Sequence, residues 1–113
     1  MNKRRIATFA DAQKEMRPVA FSTMLKPAGS TCNLDCSYCY YLDKAVQYGG
    51  RQATMSDELL EEYIRQYITA NAVDVVTFCW HGGEPLLLGV DFYRKAVALQ
   101  QKYAAGKRID NTL

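Results

Sequence analysis

Val73-Asp74-Val75-Val76-Thr77-Phe78-Cys79-Trp80, running straight into His81-Gly82-Gly83-Glu84-Pro85, is the stretch whose reading decides the fold. A nearly all-apolar run with several β-branched residues has the composition of a strand buried on both faces, as parallel sheets covered by helices require. The paired glycines and the proline then break it sharply. Just upstream, residues 56–70 carry Leu60, Tyr63, Ile64, Tyr67 and Ile68 at helical spacing. Ser56 is placed to cap that helix, Asp57 and Glu58 suit the positive end of its dipole, and Met55 is placed to staple onto Leu60.

Downstream, a second helix is expected from a cap at Asp91 to about Ala105. Phe92, Ala96, Leu99 and Tyr103 share one face, and Gly106 falls in the C′ position. Ile109-Asp110-Asn111-Thr112-Leu113 begins a third strand. Toward the N-terminus, Val19-Ala20-Phe21-Ser22-Thr23-Met24-Leu25 is β-prone, and Lys26-Pro27-Ala28-Gly29-Ser30 ends it. A long loop follows, through Tyr40-Tyr41-Leu42 to the breaker Gly49-Gly50. Strand, loop, helix, strand, loop, helix, strand is the order of an α/β fold with parallel strands and helical crossovers. Ligand sites in such folds lie at the C-terminal ends of the strands. The loop after the first strand and the Gly82–Pro85 loop should therefore lie side by side at one end of the sheet. Because the chain ends inside its third strand, with no helix to cover it, the expectation is the front portion of a longer protein.

Composition excludes several classes. At 113 residues the chain has room for one hydrophobic core and no second full domain. Its longest apolar runs fall far short of the ~20 residues a membrane helix needs, and its start, Met1-Asn2-Lys3-Arg4-Arg5, precedes no apolar signal region. The cytoplasm is the expected compartment, with no membrane partner. Residues 1–17 hold five basic and two acidic side chains, which leaves the remaining 96 residues at −1. No basic face or aromatic-plus-basic platform speaks for nucleic acid. Residues 1–17 are expected to be a solvated or disordered leader, and residues 18–113 the folded part.

Three of the four cysteines, Cys32, Cys36 and Cys39, lie on the first loop with the spacing C-x3-C-x2-C, and Cys79 stands apart inside the apolar run. Without a secretory signal, thiols stay reduced and a metal or cluster site is the better reading than two disulfides. Soft sulfur ligands select iron–sulfur clusters, zinc or copper(I). Structural zinc sites commonly collect their ligands as two pairs, and no second pair exists here, although His81 or Cys79 could supply a fourth ligand. Three thiolates on a four-iron cluster leave one iron open for substrate chemistry. Cys79 is expected to be inert core packing.

These residues resemble the radical S-adenosylmethionine (radical SAM) enzymes: Cys32-x3-Cys36-x2-Cys39 with an aromatic just before the last cysteine, then Gly82-Gly83-Glu84-Pro85 after the next strand. Met24 to Ser30, Cys32 to Tyr41 and Trp80 to Pro85 look like the anaerobic sulfatase-maturating enzymes in particular, and the resemblance covers about residues 18–113. It implies the first βα units of a partial (βα)6 radical SAM barrel, truncated here. It further implies that Cys32, Cys36 and Cys39 ligate a 4Fe-4S cluster whose free iron chelates S-adenosyl-L-methionine. Gly82 and Gly83 would let the backbone approach the methionyl amino group, Glu84 would add negative potential there, and Pro85 would fix the turn. Tyr38 would lie beside the adenine, and Tyr41 is a weaker candidate for facing the substrate, while Tyr40 packs the loop.

The activity implied is oxidation of a Cys or Ser of a sulfatase to formylglycine through a 5′-deoxyadenosyl radical. A sulfatase polypeptide is then the substrate, and a flavodoxin or ferredoxin the reductant. The catalytic base and auxiliary-cluster cysteines of that family have no counterparts in this sequence, so the 113-residue chain alone is expected to be inactive in turnover and marginally folded. Two other readings stay open: another peptide-modifying radical SAM maturase, and a non-catalytic iron–sulfur or zinc-binding module.

Overall fold

The structure, a computed structural model, describes residues 8–15, 20–41, 44–47 and 54–113. The elements follow in the order α1 (Phe9–Glu15), β1 (Met24–Leu25), α2 (Lys44–Gln47), α3 (Asp57–Ala70), β2 (Val75–Trp80), a 3₁₀ turn (Pro85–Leu88), α4 (Val90–Tyr103) and β3 (Arg108–Thr112). The three strands form one parallel sheet in the order β1-β2-β3. Parallel neighbours need a crossover to return the chain to the same edge, and α3 and α4 supply the two crossovers. The α/β reading with helical crossovers holds.

Helix α3 begins where its cap demands, with the Ser56 hydroxyl accepting a hydrogen bond from Leu59 N at 3.2 Å. Its apolar stripe, Leu60, Ile64, Tyr67 and Ile68, is buried together with Val76, Phe78, Trp80 and Ala96 in a single core, with Met55, Phe92, Leu99 and Tyr103 packed around it. Aromatic rings fill its centre: Phe78 stands edge-on to Tyr67 with centroids 5.0 Å apart, and Trp80 lies 6.0 Å from Phe78. Polar side chains pin the elements to one another. Gln100 of α4 is buried and exchanges two amide hydrogen bonds, 2.8 and 2.9 Å, with Asn111 of β3, whose Oδ1 also accepts from Trp80 Nε1.

Asn71, 1% exposed, ends α3 and ties in the segment before β1: its Oδ1 accepts from Phe21 N and its Nδ2 donates to Tyr67 O, both at 3.0 Å. Asn71→Ala removes both bonds, one of them buried, so urea unfolding should show a loss of about 1–3 kcal/mol.

Several expectations need correction. Strand β2 is buried on one face, not two. Val76, Phe78 and Trp80 point into the core, whereas Val75 and Thr77 are exposed, because α3 and α4 both pack on the same side of the sheet. Cys79 shares the open face's parity and is only half-buried, so it is not core packing. The expected first strand contributes only Met24 and Leu25 to the sheet, and the Phe21 backbone is bonded to side chains of α3 and its C-cap instead, its N–H to Asn71 Oδ1 and its carbonyl accepting from the Tyr67 hydroxyl; Val19 lies outside the described residues. Gly89, with φ of +82°, is the N-cap of α4, and Asp91 sits in its first turn, paired with Arg94. At the other end Ala104 is the C-cap, which puts Ala105 (φ +49°) at C′ and Gly106 one position later.

The loop beyond Tyr41 contains the short helix α2, and Leu42 and Gly49-Gly50 lie outside the described residues. Within the basic leader Phe9–Glu15 form a helix, held at its start by Asp11, whose carboxylate accepts from Thr8 N and Oγ1; the leader's other residues, apart from Thr8, lie outside the described set.

Candidate functional site

The site grows from the C-terminal ends of β1 and β2. Past the last ladder pair, Leu25 with Trp80, the two strands stay in contact as loops: His81 N donates to Leu25 O at 2.7 Å, Gly83 N to Gly29 O at 3.0 Å, and Glu84 N to Thr31 O at 2.8 Å. The partner loop is firm, because Pro27 and Ala28 are buried, Gly29 N and Thr31 N close turns onto Lys26 O and Ala28 O, and Pro27 O accepts from Met55 N beside the start of α3.

Backbone contact this close requires glycine. A β-carbon on Gly83 would lie 2.1 Å from Thr31 O and 2.5 Å from Ser30 O, and one on Gly82, whose φ is +122°, would lie 2.5 Å from Gly29 O. In this chain, then, what the glycines visibly accommodate is the neighbouring loop.

Glu84 bends back to cap the 3₁₀ turn, its Oε1 accepting from Leu86 N at 2.8 Å, and Pro85 takes the first position of that turn, where its missing N–H costs nothing. Pro85 O accepts from the Tyr93 hydroxyl at 2.7 Å, fixing the turn to α4. Burial, with a smaller contribution from the Glu84 charge, pushes the Tyr93 phenol up, so it stays a donor at neutral pH.

The three cysteines sit on the loop that continues from Thr31. Cys32 is exposed, Cys36 and Cys39 are half-buried, and all are free thiols. Leu34 N donates to Cys32 Sγ at 3.4 Å, and a turn closes from Cys39 N to Cys36 O at 2.9 Å. Among the described residues no three Cys, His, Asp or Glu side chains converge on one metal-holding point. Between Cys32 and Cys39 the loop has turns and bends but no helix or strand pairing, so drawing the sulfurs together breaks no ladder. A three-thiolate donor set on a solvent-reached loop, with a backbone amide already aimed at one sulfur, fits an iron–sulfur group.

Of the tyrosines, Tyr38 and Tyr40 are exposed, Tyr38 at 88%, and Tyr41 is half-buried with the Lys26 ammonium 4.7 Å from its ring centroid. Burial raises the Tyr41 phenol, Lys26 and Tyr40 lower it, and the balance lies below the ordinary tyrosine value. The two buried side-chain polar atoms without a hydrogen-bond partner among the described residues, Tyr41 Oη and His81 Nδ1, both belong to these two motif segments. Sequence reasoning missed the part played by Lys26 and by the Gly29–Thr31 carbonyls. The signal for them was the Lys-Pro-Ala-Gly-Ser run, which reads locally as a strand stop and otherwise only as part of the family resemblance.

Comparison with known proteins agrees with this geometry. The radical SAM superfamily matches residues 27–113. The chain is 52% identical over 91 residues to the serine-type anaerobic sulfatase-maturating enzyme of Bacteroides thetaiotaomicron, covering 80% of this chain and 22% of that enzyme. It is 44% identical over 105 residues to the serine-type enzyme of Klebsiella pneumoniae (90% and 26%), and 38% identical over 88 residues to the cysteine-type enzyme of Clostridium novyi (74% and 22%). Among solved structures, native anSMEcpe with bound AdoMet and Cp18Cys peptide superposes with a TM-score of 0.69 at 33% identity, over 82% of this chain and 24% of that one. The chain thus spans about a quarter of the length of the relatives it matches.

Proposed function

The chain belongs to the radical SAM superfamily, and we propose that it forms the cofactor-binding start of an enzyme that oxidises a cysteine or serine of a sulfatase to formylglycine. The observation that carries this reading is the lacing of Gly83 and Glu84 onto Gly29 and Thr31, which brings both motif loops to one end of the sheet. In this assignment Cys32, Cys36 and Cys39 hold a 4Fe-4S cluster; Gly82, Gly83, Glu84 and Pro85 receive the methionyl end of S-adenosyl-L-methionine, and Tyr38 its adenine.

The chemistry those groups supply when bound is a one-electron cleavage of a carbon–sulfur bond that yields a hydrogen-abstracting oxidant. The chain's own residues bind and orient. Three thiolates would leave one iron of the cluster without a protein ligand, and the absence of side chains at Gly82 and Gly83 lets the two motif loops approach within backbone hydrogen-bonding distance. Glu84, fixed by its cap bond, holds a carboxylate beside the turn where an ammonium is to be received. Tyr41, ring-down under Lys26, remains a weaker candidate for facing the peptide.

Residues 18–113 form the cofactor-binding part in this reading, and residues 1–17 take no part in the chemistry. A sulfatase polypeptide is the proposed substrate, a flavodoxin or ferredoxin the proposed reductant, and the cytoplasm the proposed compartment. Among the described residues no helix is long and apolar enough to cross a membrane. The higher identities to serine-type relatives make a serine-bearing sulfatase peptide the first substrate to try.

Anaerobic reconstitution of the chain with iron and sulfide, followed by S-adenosyl-L-methionine, tests the assignment. The expected result is a cluster spectrum that changes when S-adenosyl-L-methionine is added; a cluster indifferent to it, or selective zinc uptake, would sink the enzyme reading. Replacing Cys32, Cys36 or Cys39 singly by Ala should abolish that spectral change. Cys79→Ser should preserve it, because Cys79 lies within β2 and not on the cysteine loop.

A further inference from the structure

The base of the cysteine loop, its far end and the Gly-Gly element meet at one side chain, Lys26. Its Nζ lies 4.7 Å from the centroid of the Tyr41 ring, two residues past the last cysteine. Its Cβ would touch a β-carbon placed on Gly82 at 3.6 Å. The residue before it, Leu25, accepts the His81 N–H that begins the lacing of the two loops. The Tyr41 ring is also packed by the Tyr40 ring, with centroids 4.3 Å apart.

We infer that Lys26 is a positioning residue: its ammonium, seated on the Tyr41 ring, fastens the end of the cysteine loop to the exit of β1 and so holds the loop closed. The physical need is clear. A loop made of turns pays the entropy of bringing its ends together whenever it must present three sulfurs to one centre. A cation over an aromatic face supplies attraction without demanding one exact geometry, which suits a clasp on a solvent-reached loop. Arginine can serve the same role and methionine cannot, because the attraction is to positive charge and not to stem length. The inference rests on the cluster-binding reading of the loop, but the clasp exists with or without a cluster.

The test uses the purified full chain in two states. Without iron, deuterium uptake over residues 27–41 should rise in Lys26→Met and in Tyr41→Leu and stay at the wild-type level in Lys26→Arg and Tyr41→Phe. With the cluster reconstituted, a ferrous chelator should strip iron about two- to fivefold faster from Lys26→Met and from Tyr41→Leu, the factor an exposed cation–π contact carries. The double variant should be no faster than either single one, since both remove the same contact. Wild-type uptake and wild-type iron loss in both single variants, or fully additive effects in the double variant, would overturn the clasp. A wild-type chain that takes up no iron defeats the functional reading instead, and the iron-free exchange measurement still decides the clasp.

Discussion

Gly83→Ala should lower the stability of this chain by about 1–3 kcal/mol, the usual cost of forcing extra atoms into a packed site, and should weaken S-adenosyl-L-methionine binding with it. The added carbon would lie 2.1 Å from Thr31 O and 2.5 Å from Ser30 O, both backbone atoms that no rotamer change can clear. One of the two loops has to move, and the bonds from Gly83 N to Gly29 O and from Glu84 N to Thr31 O are the ones that stretch. At roughly 4–8 °C per kcal/mol for domains of about this size, a thermal melt reads the effect without difficulty.

Gly89→Ala is the matched comparison. Nothing lies within 4 Å of its β-carbon, but its φ of +82° with ψ of 166° is a conformation that only glycine adopts readily, so a side chain there costs about 1–3 kcal/mol. Gly89→Ala should therefore destabilise without disturbing cofactor binding, and Gly83→Ala should do both. Equal, mild effects from the two variants would mean that the loops are not laced as described.

Phe78→Ala should remove about 3–5 kcal/mol, the range for truncating a buried aromatic, a large share of the 5–15 kcal/mol that small domains possess. Phe78 is 1% exposed and is ringed by Tyr63, Tyr67 and Trp80. Val75→Ala, in the same strand, should cost under about 1 kcal/mol, because Val75 lies on the open face at 38% exposure and little packing is lost. Chemical denaturation of the two variants side by side measures the difference directly. Comparable losses would restore the expectation that β2 is covered on both faces.

That contrast shows where sequence reasoning stops. Hydropathy identifies β2 as a strand and its neighbours as helices, but an apolar residue reads the same whether or not another layer covers it. Only the common placement of α3 and α4 on one side divides Phe78 from Val75, and moves Cys79 from the expected core to the half-open face. The first strand shrinks for a related reason. Phe21 is β-prone, yet a side-chain amide fifty residues later claims its N–H and the Tyr67 hydroxyl its carbonyl, and no local pattern announces that.

The parallel α/β arrangement, the two crossover helices with their apolar faces, the Ser56 cap, the three-cysteine loop and the Gly-Gly-Glu-Pro element are all determined by the order of residues alone. Each depends on spacing, capping or backbone conformation within one short segment. The tertiary structure decided what the segments do to one another: that Gly82 and Gly83 are small to admit the neighbouring loop, that Glu84 is spent on a cap, and that Lys26 reaches Tyr41 across the cysteine loop. The glycine contacts join segments far apart in the chain and are set by the register of β1 on β2, which exists only once the sheet has formed; the Glu84 cap and the Lys26–Tyr41 contact depend on how each loop folds back on itself.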